Sequence, residues 1–125
     1  MDFKTYLSVV KILPKDISVL LRGKHGIGKS DCVYQLAQQF GKELENNDPN
    51  FVVERRLSQM SEGDMIGLPE LVDGITRFAP PDWFMECCRK PKILFLDEFN
   101  RATPEVMQAA FQIVLDRQLN GHRLH

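Results

Sequence analysis

One octapeptide limits what this chain can fold into more than any other feature. Gly23-Lys24-His25-Gly26-Ile27-Gly28-Lys29-Ser30 fits the pattern G-x-x-x-x-G-K-[ST]. Its glycines let the backbone curl until successive N–H groups point at one anion, and a following helix adds the positive end of its dipole. Such a loop needs an apolar strand before it and a helix after it. Ser18-Val19-Leu20-Leu21-Arg22 reads as a short buried strand. Cys32, Val33, Leu36, Ala37 and Phe40 recur at helical spacing, with Gly41 as the expected stop. Gly23 to Ser30, with Asp31 beside them, are therefore the expected phosphate-binding residues. Lys29 would reach the terminal phosphates and Ser30 would offer a hydroxyl to Mg²⁺. The competing reading is a glycine-rich turn between core elements. A dinucleotide-binding loop is disfavoured, because Lys29, Ser30 and Asp31 follow Gly28 where a third glycine is needed.

Around this loop the chain divides into short elements. Phe3, Tyr6, Leu7, Val10 and Leu13 fall on one face of a helix that Pro14 ends. Lys42 to Asn50 is polar and reads as a linker. Phe51 to Leu57 reads as a second strand. Ser58 to Glu70 is loop-like, with a helical turn capped by Ser61. Asp73-Gly74 between Leu71-Val72 and Ile75 to Phe78 is a hairpin signature. Trp83, Phe84, Cys87 and Cys88 suggest a short amphipathic helix between Pro81 and Pro91. Thr103 and Pro104 open another helix as N-cap and first residue. Its expected apolar stripe is Val106, Met107, Ala110, Phe111, Val114 and Leu115. Asn120-Gly121 marks a last hairpin.

Ile93-Leu94-Phe95-Leu96 is a continuous apolar run, expected for a strand buried on both faces. It ends in Asp97-Glu98, 67 positions after Ser30. A strand of this kind delivers its last side chains to the carboxyl edge of a sheet, where open α/β sheets bind ligands. Asp97 would hold Mg²⁺ through retained water. Glu98 would orient and polarise an attacking water. The competing reading is a carboxylate that caps the next helix.

Composition sets outer bounds. The 125 residues, 43% hydrophobic, suffice for a packed core of one domain or part of one, and a net charge of −1 gives no general electrostatic case for nucleic acid. There is no long apolar segment and no signal-peptide pattern at Met1-Asp2-Phe3-Lys4, so a soluble, cytoplasmic chain is expected. Cys32, Cys87 and Cys88 fit neither a disulfide framework nor zinc spacing.

Leu96-Asp97-Glu98-Phe99-Asn100-Arg101-Ala102 resembles the L-D-E-[IF]-N-R-A signature of MoxR-type AAA+ ATPases, a clade that includes magnesium-chelatase ATPase subunits and phage-encoded relatives. Val106 to Val114 is similar to that family's helix after the Walker B strand. Arg117 to Gly121 resembles the hairpin after it, and Gly63 to Pro69 the segment after the second strand. The resemblance implies an α/β fold: a P-loop NTPase of the AAA+ type, a three-layer sandwich around a parallel sheet, incomplete at its C-terminus. Residues 1–125 would be the N-terminal portion of the domain, from Walker A to the post-Walker B helix. It implies ATP and Mg²⁺ as cofactors, Lys29 and Glu98 as catalytic residues, and Ser30 and Asp97 as metal ligands. Ser58 or Gln59 would restrain Glu98 as a glutamate switch. Asn100 and Arg101 would lie near the nucleotide edge or a subunit boundary. The two hairpins would face a central pore or a client.

The same resemblance implies self-association into a ring, a hexamer by family habit, with a client or adaptor that carries a metal-ion-dependent adhesion-type domain. Sensor 1, the arginine finger and sensor 2 are not found before His125. In the family's strand order the sensor 1 strand lies between the Walker A and Walker B strands. These residues alone are therefore expected to hydrolyse ATP poorly, as a fragment or with another chain filling the gap. Two other readings stay open: a non-hydrolysing nucleotide-binding or assembly module, and a P-loop small-molecule kinase.

Overall fold

A computed structural model describes residues 3–14, 17–21, 29–43 and 51–125. The chain forms two compact units, Met1–Phe51 and Val52–His125. In the first, α1 (Phe3–Ile12) and α2 (Lys29–Glu43) supply the helices. Tyr6, Leu7 and Leu36 form the buried centre, with Val10, Leu21, Cys32 and Phe40 packed against it. The helical spacing of these residues in the sequence thus becomes the packed face of each helix.

Two expectations fail in this unit. Residues 18–21 form no strand, and Ser18, Val19 and Leu20 are exposed. A strand persists through its ladder, and none of the described residues pairs with this run. Gly41 does not stop α2, which continues to Glu43. A glycine costs only about 1 kcal/mol relative to alanine in a helix, too little to end one that Lys42 and Glu43 favour.

The second unit is built on a parallel pair. Strand β1 (Val52–Arg56) lies beside β4 (Ile93–Asp97), with Val52 opposite Ile93 and Arg56 opposite Asp97. Between them in sequence come α3 (Glu62–Ile66), the hairpin of β2 (Leu68–Val72) and β3 (Ile75–Ala79), and α4 (Asp82–Arg89). After β4 follow α5 (Pro104–Asp116) and the small hairpin of β5 (Gln118–Leu119) and β6 (His122–Arg123). Both hairpins close on two residues of positive φ: Asp73 at 54° with Gly74 at 77°, and Asn120 at 49° with Gly121 at 85°. These are the angles that make Asp-Gly and Asn-Gly suited to tight turns.

The core of this unit joins Leu57, Met65, Phe84, Val106 and Ala110, all fully buried, with Trp83, Cys87, Ala109, Ile113 and Leu119 around them. Strand β4 is half-buried along its whole length rather than buried on both faces. Its single ladder partner among the described residues is β1. The stripe on α5 is also turned from the expected one. Ala109 and Ile113 are buried, whereas Phe111 and Leu115 are exposed. So many α5 positions are apolar that their spacing alone does not choose the inward face. Phe111 instead meets Phe99 edge-on, ring centroids 4.9 Å apart. Among the described residues no helix is long and apolar enough to cross a membrane.

Candidate active site

The carboxyl ends of β1 and β4 lie side by side because the strands are parallel and in register. From β1 the chain passes into a 3-10 turn, Leu57–Gln59, and from β4 through Glu98 into a second, Phe99–Arg101. The turns pack on one another. Leu57 anchors the first, fully buried in the core. The next residue, Ser58, donates its hydroxyl to the Oε2 of Glu98.

Glu98 has φ 55° and ψ 38°, the left-handed region. L-residues enter it at a cost of about 1–2 kcal/mol, so their presence there marks a position held by its surroundings. The Asp97 Oδ1 accepts from the Glu98 N–H at 2.8 Å, and the Arg101 N–H reaches the Glu98 carbonyl at 3.0 Å. Neither acid caps the following helix. That place belongs to Thr103, whose hydroxyl accepts from the Val106 N–H at 3.4 Å.

The remaining expected residues fall as follows. Gln59 is exposed and lines an open groove of about 380 Å³ with Glu54, Arg55, Arg56 and Met60. Asn100 and Arg101 are exposed in the second 3-10 turn. Lys29 and Ser30 open α2 and are half-buried, and Asp31 is exposed in its first turn, where a carboxylate suits the positive end of the helix dipole. Gly23, Lys24, His25, Gly26, Ile27 and Gly28 lie outside the described residues.

One side chain beside this site had no functional reading in the sequence. Trp83 counted only as an apolar position of α4. Its indole Nε1 donates to the Asp64 carbonyl at 3.1 Å, and the Arg55 guanidinium lies over its ring, 5.7 Å from the centroid. Being the single tryptophan of the chain was a signal, because a buried indole N–H calls for an acceptor.

A family model described as AAA domain (dynein-related subfamily) matches residues 18–124. The chain belongs to this AAA family. No curated protein and no solved structure matches it significantly. Membership places this AAA domain in the α/β P-loop class, and the parallel β1–β4 pair accords with it. It also supports nucleotide binding and ATPase activity in general. The octapeptide that ends at Ser30 and the acidic end of β4 both fall inside the matched residues.

Proposed function

We propose that this AAA domain is MoxR-like and couples ATP binding and hydrolysis to the remodelling of a partner protein or complex. The observation that carries the reading is the Ser58–Glu98 hydrogen bond at the carboxyl edge of the parallel pair. It supports Glu98 as the carboxylate that polarises the attacking water and Ser58 as the group that restrains it until a neighbour or client intervenes. Asp97 and Ser30 would hold Mg²⁺. One carboxylate and one hydroxyl suit an ion that keeps several waters. Lys29 and residues 23–28 would bind the phosphates, with Asp31 following them.

Bound Mg²⁺ supplies charge neutralisation for phosphoryl transfer, which depends on positioning and electrostatics more than on covalent steps. Asn100 and Arg101, exposed beside Glu98, would meet a neighbouring subunit in a ring, and a hexamer is the form proposed. A client or adaptor with a metal-ion-dependent adhesion-type domain, in the cytoplasm, completes the reading. The test is titration of a labelled ATP analogue against wild type and Lys29→Ala. We expect the variant to lose binding; equal affinity would remove the phosphate-binding assignment.

A further inference from the structure

We propose that Trp83 is a positioning residue for the Ser58–Glu98 contact, a role that rests on the reading of Glu98 as the water-activating carboxylate. The argument is geometric. Ser58 sits on a segment that leaves β1 at Arg56 and enters α3 at Glu62. One indole holds both flanks of that segment. On the β1 side the guanidinium of Arg55 lies over the ring, 5.7 Å from its centroid. On the α3 side the indole N–H donates to the Asp64 carbonyl at 3.1 Å.

The clamp has firm backing. Trp83 is 6% exposed and packs edge-on against the fully buried Phe84, centroids 5.8 Å apart. Arg55 is tied a second time, its Nη1 donating to the Glu54 carbonyl at 2.9 Å. The α3 end is fixed as well, by the reciprocal capping box of Ser61 and Asp64. With both flanks fixed, the residues between them have little freedom, and the Ser58 hydroxyl stays on Glu98. A side chain that touches neither acid thereby sets how firmly Glu98 is restrained.

Trp83→Phe keeps a ring but removes the N–H donor and weakens the seat for the guanidinium. Turnover and hydrogen exchange are measured for wild type, Trp83→Phe, Ser58→Ala and the double variant, in the ATP-hydrolysing assembly that contains this chain. In Trp83→Phe we expect faster exchange across residues 57–63 with β4 unchanged. We expect kcat to rise about three- to tenfold, the span commanded by one modest hydrogen bond, with KM for ATP unmoved. Ser58→Ala should give the same rise, and adding Trp83→Phe to it should give nothing more, as expected for residues that act through one contact.

Equal factors in both backgrounds, or an unchanged kcat in Trp83→Phe, would overturn the proposal. If Trp83→Phe fails to fold by circular dichroism, Arg55→Gln takes its place in the same cycle, because it removes the cation and leaves the indole. If turnover proves indifferent to Glu98→Gln, the reading of Glu98 fails and the effect of Trp83 on turnover fails with it. The exchange arm then still decides whether Trp83 fixes the segment.

Discussion

Gly67 stands so close to Ala79 that a Cβ on it would lie 1.8 Å from the Ala79 carbonyl oxygen. The two residues form the base of the β2–β3 hairpin, where the chain leaves α3 and where it returns toward α4. Gly67 also has φ 85°, and its N–H closes α3 on the Gly63 carbonyl at 2.9 Å. Gly67→Ala should therefore destabilise the second unit by more than about 2 kcal/mol, the sum of an L-residue forced into a positive-φ region kept by glycine (φ 85°, ψ −170°) and a backbone clash. Chemical denaturation measures it. A loss under half that size would mean that the hairpin base shifts freely.

Replacing Glu98 by Gln should separate binding from turnover. The amide keeps the shape and can still accept from Ser58, but it cannot polarise water as a carboxylate does. ATP affinity should stay near wild type while kcat falls by about 10²–10⁴-fold, the usual contribution of a positioned acid–base group. Asp97→Ala should instead weaken Mg²⁺-dependent nucleotide binding. Isothermal titration with and without Mg²⁺, beside a phosphate-release assay, distinguishes the two.

The capping box of α3 should make that helix acid-sensitive. Hydrogen bonds from the Ser61 N–H and then from its hydroxyl hold the Asp64 carboxyl below its ordinary value of 3.8. A depressed folded value means that the contribution is fully present above 3.8 and is lost as pH falls through the folded value. A carboxyl-resolved NMR titration should show a midpoint below that of an unfolded peptide. In Asp64→Ala the Ser61 amide loses its acceptor, so its protection relative to intrinsic exchange should be low and should not change with carboxyl titration in this range.

Cys87 should resist thiol reagents until the second unit opens. Burial raises its thiol from 9.0 to about 11, with Cys88 adding to the shift. The folded value is raised, so the associated stability is complete below pH 9.0 and is lost as pH climbs through about 11. Labelling at neutral pH should leave Cys87 unmodified and become rapid in denaturant. Denaturation midpoints should fall across the alkaline window, and the fall should be smaller in Cys87→Ala, where the raised Cys88 thiol remains.

The parts legible in the sequence were those whose cause is local. Ser61 as the cap of a helical turn, Thr103 with Pro104, and the Asp73-Gly74 and Asn120-Gly121 turns carry their own instructions in short-range chemistry. Strand β4 with its acidic end was legible because an apolar run closed by two acids admits few placements. The readings that failed depended on neighbours. Residues 18–21 needed a ladder partner, and the burial of Phe111 or Ile113 depended on which side of α5 met α3. Choosing Ser58 over Gln59 as the partner of Glu98 required the relative heights of two strands, and tying Trp83 to Arg55 and Asp64 required three elements at once. None of these leaves a periodic trace in the sequence.

A β-strand sends successive side chains to opposite layers, so adjacent acids at its end would ordinarily be parted by the full thickness of the sheet. The chain avoids this by abandoning the extended conformation after Asp97. From Glu98 onward the tight turn, and no longer the pleat, decides where a side chain is aimed. That is why a carboxylate on one strand's exit meets a hydroxyl on the neighbouring strand's exit. Holding Glu98 in the extended conformation would leave both acids in the sequence and divide them between the two faces of the sheet.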